Sequence, residues 1–300
     1  MPRPDPGFGD AERRAAAVLI DVSLTEDLGE RGDVTTAATI DGEAEGRVRI
    51  VAREAGVVAG LPVAAMVCDA VDGAIGRDVI EDGTPVSAGD CVATLCGPVR
   101  SLLTAERTAL NFLTHLSGIA TLASRYVAET AGTPARVLDT RKTLPGWRRL
   151  AKYAARCGGA ANHRMGLYDM VLIKDNHIAA WRERHPDASL AAILEGVRNA
   201  APQTLVMVEV DTAGQLEQLL SADPPPDFVM LDNMTEDQLR AAVATRNRLA
   251  PSVRLEASGG VTLETVGGIA RTGVDRISVG AITHSAPNFD LGFDWVSGDR

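Results

Sequence analysis

The sequence predicts an α/β protein whose second part is built on a parallel β-sheet. After about residue 135, short apolar strand candidates alternate with helical patterns, and the connections between them are short. That alternation is typical of βαβ units. The strand candidates are apolar throughout, as strands buried on both faces are. Their number, six, fits an incomplete α/β barrel or an open doubly wound sheet, because a complete barrel has about eight strands.

The part before residue 135 has a mixed pattern. Residues 10–28 and 101–131 are predicted to be helical, with Gly118 as a possible break in the second helix. Residues 47–53 alternate between apolar and polar side chains, as a half-buried strand does. A short helix begins at Pro62, and residues 81–98 form short strands separated by turns.

From residue 135 onward, each predicted strand is followed by a predicted helix. The strand candidates are residues 136–139, 170–173, 205–210, 228–231, 253–257 and 276–279. The helical patterns are residues 147–157, 188–200, 213–221, 236–249 and 263–271.

Composition and charge exclude several classes of protein. The chain has 300 residues, of which 45% are hydrophobic and 23% charged, and a net charge of −10. These values are typical of a globular protein and oppose binding to nucleic acid or to an anionic membrane. The sequence shows no segment that could span a bilayer, no signal peptide and no CxxC pair among its four cysteines. We therefore expect a cytoplasmic protein with free thiols that binds neither nucleic acid nor membrane.

Polar or glycine residues follow every strand candidate. They are residues 139–142, 174–177, 209–211, 232–233, 258–260 and 280. Asp, Asn, Ser and Gly also serve as helix caps and turn residues, but Arg141, Lys142, Lys174 and Glu209 are poor caps. In α/β barrels the active site lies at the carboxyl ends of the strands. We therefore predict that these side chains converge on one site.

The charges of one segment indicate an anionic ligand. Residues 136–174 contain nine basic and two acidic residues in an otherwise acidic chain. The charges of residues 148–156 fit the solvated face of a helix. The other basic candidates lie beside glycines or at strand ends, and they are Arg141, Lys142, His163, Arg164 and Lys174. Several arginines favour a small ligand with more than one carboxylate or phosphate group.

Two glycine-containing segments indicate a phosphate group. Residues 257–262 and 278–283 each follow a strand candidate, and the last two strand–helix loops of barrels often bind phosphate. Glu209 and Asp232 end the two preceding strands and could hold Mg²⁺ against a polyphosphate. Their spacing forms no fixed metal motif, so residue spacing alone leaves this metal site open.

Three segments closely resemble the core of the quinolinate phosphoribosyltransferase family. They are Asp-Thr-Arg-Lys-Thr-Leu-Pro-Gly at residues 139–146, Gly-Gly-Ala-Ala-Asn-His-Arg at 158–164 and Lys-Asp-Asn-His at 174–177. Further segments agree at residues 26–36, 106–111, 208–210, 231–233 and 256–260. The resemblance extends from about residue 20 to about residue 285.

The resemblance implies a fold, a reaction and an assembly. It implies an N-terminal α/β sandwich domain at residues 1–118 and an incomplete catalytic α/β barrel at residues 119–285, with the tail 286–300 packed on the first domain. The reaction joins quinolinate to phosphoribosyl pyrophosphate with Mg²⁺ as cofactor, and gives nicotinate mononucleotide, pyrophosphate and CO₂ for NAD biosynthesis. The enzyme is implied to be a homodimer, in which Arg107 reaches the partner's site.

The resemblance also implies a role for each candidate residue. Quinolinate is held by Arg107, Arg141, His163, Arg164 and Lys174. Lys142 contacts the phosphoribosyl donor. Glu209 and Asp232 position its ribose and Mg²⁺, and Ser258, Gly259 and Gly280 hold its 5′-phosphate.

Three alternatives to this function stay open. One is a paralogue of the same fold that is associated with molybdate transport genes. Another is a nicotinate phosphoribosyltransferase, which handles one carboxylate and needs fewer cations. The third is a non-catalytic sensor of phosphoribosyl metabolites, which would bind the same ligands without turnover and would not need Glu209 together with Asp232.

Overall fold

The computed structural model describes residues 6–186 and 188–296, which form two compact units. The first unit contains residues 6–124, 142–160 and 282–296. The second contains residues 125–141, 161–186 and 188–281. The domain borders implied by the resemblance stay a prediction.

The elements are numbered in chain order. Up to residue 129 they are α1 (Asp10–Leu28), α2 (Val34–Thr39), β1 (Glu45–Ala52), β2 (Gly56–Val57), α3 (Leu61–Val71), β3 (Gly76–Val79), β4 (Pro85–Val86), β5 (Cys91–Pro98) and α4 (Val99–Glu129). The later elements are β6 (Arg136–Leu138), α5 (Arg148–Cys157), β7 (Val171–Ile173), α6 (Asp175–Arg182), α7 (Leu190–Ala200), β8 (Val206–Val210), α8 (Ala213–Leu220), β9 (Phe228–Asp232), α9 (Glu236–Leu249), β10 (Arg254–Ser258), α10 (Leu263–Ala270), β11 (Arg276–Ser278), α11 (Ala281–His284) and β12 (Leu291–Trp295).

The first unit contains an antiparallel sheet of four strands in the order β12-β1-β5-β3. The sheet joins distant parts of the chain, because Val48 of β1 is the register partner of Trp295 of β12. Val48, Ile50 and Ala52 are buried, as the alternation in the sequence predicts. None of the helices within the described ranges is long and apolar enough to cross a membrane.

Gly118 does not break a helix, and that expectation was wrong. Helix α4 continues through this position. A Cβ atom on Gly118 would lie 2.0 Å from the carbonyl oxygen of Pro287. Nearby, the Phe289 N–H donates to the carbonyl oxygen of Thr114 over 2.9 Å. The glycine therefore allows the segment before β12 to lie directly against α4, where any side chain would collide with backbone.

The second unit contains a parallel sheet of six strands in the order β6-β11-β10-β9-β8-β7. The order follows the chain from β7 to β11 and then returns to β6, which leaves β6 and β7 as the edge strands. A doubly wound sheet would instead reverse its strand order at a switch point. The predicted incomplete barrel of about six strands is therefore confirmed.

One face of this parallel sheet carries an apolar cluster. The cluster consists of Met170, Leu172, Met207, Phe228 and Met230, all of which are buried. Because side chains of a strand alternate between its two faces, residues two positions further along lie on the same face as the cluster. On that face, the positions that follow the cluster lie at the carboxyl ends of the strands.

Candidate active site

Four predicted site residues lie on the face of the apolar cluster, at the carboxyl ends of their strands. The parallel register pairs Glu209 with Met230 and Asp232 with Ser258. Lys174 follows β7 directly and lies two residues beyond Leu172, whose partner is Met207. Alternation along the strands thus brings together side chains from four strands that are separate in sequence.

Lys174 and Glu209 form an ion pair through Nζ and Oε2. The lysine side chain is 43% exposed, whereas the glutamate side chain is 11% exposed. The Lys174 N–H donates to Nδ1 of His177 over 3.0 Å, so that the imidazole caps the start of α6. A ligand anion that binds Lys174 must therefore share the lysine with Glu209 or displace it.

The turns after β9 and β10 are held together by Asn233. Its backbone N–H donates to the Ser258 carbonyl oxygen over 2.9 Å, and its side-chain Nδ2 donates to Oδ2 of Asp232 over 2.6 Å. Gly259 adopts a φ of +91°, and a Cβ there would lie 2.2 Å from Oδ1 of Asn233. Glycine is required at this position for both reasons. The carboxylate of Asp232 and the backbone of residues 258–259, in the first of the two predicted phosphate-binding segments, are thereby fixed next to each other.

Among the described residues, neither Arg141 nor Arg164 forms an ion pair with a carboxylate. Their positive charges are therefore not neutralised by a direct partner. The Nε of Arg141 is buried and has no hydrogen-bond partner among the described residues. Arg164 donates from Nη1 to the Met170 carbonyl oxygen over 3.0 Å. Burial, and then the charge of Arg141, lower the pKa of Arg164. Because a buried guanidinium N–H without a partner is costly, these two arginines are suited to bind an anion.

His163 is buried, and both of its ring nitrogens contact groups of the chain. Nδ1 accepts a hydrogen bond from the Arg164 N–H over 2.7 Å, which places the ring proton of a neutral imidazole on Nε2. Nε2 lies 3.2 Å from Oε1 of Glu256. The backbone N–H of His163 donates to buried Asp139 over 2.8 Å. The predicted role of His163 toward quinolinate stays a prediction, and the geometry shows it holding the Arg164 backbone.

Glu256 and Arg276 had no predicted role at the site. Glu256 is fully buried, and its Oε2 lies 2.8 Å from Nε of Arg276. Burial alone would raise the pKa of Glu256, but the contacts with His163, Arg276 and Ser278 outweigh it and hold the pKa below its usual value. An acidic residue in the middle of a strand that was predicted to be buried on both faces was the signal that could have identified it.

Three further residues were predicted to belong to the site, and they are Gly280, Lys142 and Arg107. Gly280 follows β11, and the N–H of the preceding Val279 donates to the Leu138 carbonyl oxygen over 2.8 Å. Lys142 belongs to the first unit and is exposed, and its carbonyl oxygen accepts from Thr283 Oγ1 over 2.8 Å. Arg107, also in the first unit, is exposed on α4.

Glu209 and Asp232 fit part of a magnesium site. Among the described residues, no group of three or more His, Cys, Asp or Glu side chains could hold a metal ion. Mg²⁺, however, is commonly bound by one or two carboxylates together with substrate phosphates and water. The carboxylates of Glu209 and Asp232 lie at the ends of neighbouring strands, and Asp232 is the register partner of Ser258 in the predicted phosphate-binding segment 257–262. They could provide that smaller ligand set.

The fold and the site define an α/β-barrel protein with a candidate anion-binding site at the carboxyl ends of its strands. Two family descriptions match the chain: "Quinolinate phosphoribosyl transferase, N-terminal domain" over residues 33–117 and "Quinolinate phosphoribosyl transferase, C-terminal domain" over residues 119–294. The chain belongs to the quinolinate phosphoribosyltransferase family, as its resemblance in sequence indicated.

Named relatives agree with this assignment along almost the whole chain. A nicotinate-nucleotide pyrophosphorylase (carboxylating) of Mycobacterium leprae is 45% identical and covers 96% of this chain and 99% of its own. A quinolinate phosphoribosyltransferase (decarboxylating) of Nicotiana tabacum is 39% identical over 91% of this chain and 80% of its own. The structure of the nicotinate-nucleotide pyrophosphorylase of Francisella tularensis superposes with a TM-score of 0.86 at 36% identity, covering 94% of this chain and 96% of that one.

Proposed function

We propose that this protein transfers the phosphoribosyl group of phosphoribosyl pyrophosphate to quinolinate, with release of pyrophosphate and CO₂, to form nicotinate mononucleotide. The observation that carries the proposal is the pair Arg141 and Arg164. Each is without an ion-pair partner in the described chain, and the Nε of Arg141 is buried without a hydrogen bond. Quinolinate has two adjacent carboxylates, and guanidinium groups match carboxylates through paired hydrogen bonds.

Catalysis in this proposal depends on position and charge. Arg141, Arg164 and Lys174 orient quinolinate with its ring nitrogen toward the anomeric carbon of the donor. Pyrophosphate leaves this carbon as the nitrogen attacks it. Loss of CO₂ leaves the electron pair of the broken carbon–carboxylate bond on the ring carbon, where the adjacent pyridinium nitrogen stabilises it, so that no protein nucleophile is needed. A proton from water then completes nicotinate mononucleotide. Arg141 and Arg164 hold the reactant in place until that step.

The donor binds on the other side of the site in this proposal. The turn of Ser258 and Gly259 receives the 5′-phosphate together with Gly280, and Lys142 contacts the donor. Glu209 and Asp232 position the ribose and hold Mg²⁺ with the pyrophosphate. Mg²⁺ held there would supply positive charge against the negative charge that develops on the departing pyrophosphate.

The reaction is tested by incubating the purified protein with phosphoribosyl pyrophosphate, Mg²⁺ and quinolinate, and following nicotinate mononucleotide and CO₂. We expect both products from quinolinate, none when nicotinate replaces it and none when Mg²⁺ is chelated. Product from nicotinate alone would overturn the substrate assignment. The absence of product in every reaction would favour the sensor or the paralogue of different specificity.

We propose in addition that the enzyme acts as a homodimer, in which Arg107 of one subunit serves the other subunit's site. Arg107 is exposed and forms no ion pair within the described ranges. The first unit also exposes apolar side chains one helical turn apart on α1, Val18 at 66% and Val22 at 57%. Exposed apolar side chains grouped in this way are typical of protein contacts.

Subunit complementation tests this assembly. The variants Arg107→Ala and Arg141→Ala are each expected to be nearly inactive alone. After mixing and subunit exchange, a heterodimer has one site with both arginines intact, so about a quarter of the wild-type activity should return. If Arg107 serves its own subunit, every site in the mixture lacks one arginine, and no activity returns.

A cytoplasmic location stays a prediction as well. The four cysteines are free thiols in the structure, and two of them, Cys68 and Cys157, are buried. Free thiols fit a reducing compartment.

A further inference from the structure

Three arginines begin neighbouring strands at the amino ends of the parallel sheet, away from the candidate active site. Arg136, Arg276 and Arg254 are the first residues of β6, β11 and β10. Arg136 and Arg276 are direct register partners, and Arg276 is in turn the partner of Glu256, two residues beyond Arg254. All three arginines therefore lie on one face. They line a cavity of about 430 Å³ together with Asn162 and Asp275.

Two of these three arginines have no partner of opposite charge among the described residues. The side chains of Arg136 and Arg254 form no hydrogen bond or ion pair within residues 6–186 and 188–296. Asp275, the acidic residue that lines the cavity, is already engaged. Its Oδ2 lies 2.7 Å from Nη1 of Arg246 and accepts the Leu255 N–H over 2.7 Å.

The third arginine is held in place by the protein. Nε of Arg276 lies 2.8 Å from Oε2 of Glu256, and its guanidinium carbon lies 4.5 Å from the centre of the Phe228 ring. The side chain of Arg276 is only 15% exposed. A fixed guanidinium loses little conformational freedom when it binds a ligand.

We propose that this cavity is a second anion site, which binds a small molecule that carries a phosphate group. Two uncompensated guanidinium groups match the double negative charge of a phosphate at neutral pH, and guanidinium groups recognise its oxygens through paired hydrogen bonds. A cavity of about 430 Å³ has the volume of small-molecule sites. The proposal does not depend on the reaction assigned above, because none of the three arginines belongs to the proposed active site.

The test compares phosphate binding by the wild-type protein and the double variant Arg136→Gln/Arg254→Gln in isothermal titration calorimetry. Inorganic phosphate is the probe, at constant ionic strength. We expect the variant to bind one phosphate fewer per chain, or to bind it at least about tenfold more weakly at this site. Both residues are exposed, so the variant should fold and should retain wild-type product formation from quinolinate.

The matched control removes two other exposed arginines of the same unit. Arg240 and Arg248 lie on α9, and each has a carboxylate partner. Arg240→Gln/Arg248→Gln changes the net charge equally and should bind phosphate as the wild type does. Equal phosphate binding by the wild type and the Arg136→Gln/Arg254→Gln variant would overturn the proposal, and so would an equal loss in both double variants.

Discussion

Replacement of Arg141 by alanine is expected to abolish turnover while the fold is retained. The buried Nε of this residue has no partner in the described chain, so the side chain contributes no hydrogen bond there that its removal would break. The binding of a quinolinate carboxylate would, however, lose its main guanidinium. We expect kcat/KM to fall on the order of 10³-fold, with an unchanged circular dichroism spectrum.

A lysine at position 141 should restore only a small part of the activity, because an ammonium group cannot form the paired contact of a guanidinium. The control is Arg182→Ala, which removes an exposed arginine near the end of α6 in the same unit. It should leave kcat/KM unchanged. Near-normal turnover of Arg141→Ala would refute the assignment of this arginine to the substrate.

The largest effect on stability is expected from Glu256→Gln. Glu256 is fully buried between His163 and Arg276, and removal of its charge leaves Arg276 without its partner. Breaking a buried pair in this way typically costs about 3 kcal/mol of the free energy of unfolding. The pKa of Glu256 is held below its usual value, so its stabilisation is present above the pKa of the unfolded state. That stabilisation is lost as the pH falls through the pKa of the folded state.

Urea unfolding at several pH values measures this effect. Glu256→Gln should lower the transition midpoint most at neutral pH, and the difference from wild type should shrink in acid. Glu195→Gln, an exposed substitution on α7, should stay within about 0.5 kcal/mol of wild type. Equal midpoints for the two variants at neutral pH would contradict the stabilising role of Glu256.

The parallel sheet could be predicted well because its signals are local. Every strand candidate after residue 135 overlaps one of the strands β6 to β11, although β9 and β10 each extend one residue beyond their candidates, and α9 was predicted with both ends correct. The polar residues after the strands were predicted to converge on one site. Alternation along a strand, which is fixed by backbone geometry, explains why four of them share one face. Lys174 and Glu209 meet for this reason, although they are far apart in the chain.

Other features depend on contacts that no local pattern contains. Gly118 has the sequence appearance of a helix break, but it is required by the approach of Pro287. His163 was predicted as a ligand residue from its neighbours in sequence. Its engagement with Glu256 depends on a strand more than ninety residues away. Tertiary packing decides both cases.

The pairing of β12 with β1 has a consequence for biosynthesis. Val48 acquires its partner Trp295 only after the ribosome has translated nearly 250 further residues. Until then, that edge of β1 exposes backbone hydrogen-bonding groups on which another nascent chain could pair. A message truncated before codon 291 would therefore yield a chain that contains all strands of the parallel sheet but lacks β12. The edge of β1 would then stay unpaired and prone to aggregation, and chaperones would have to shield it.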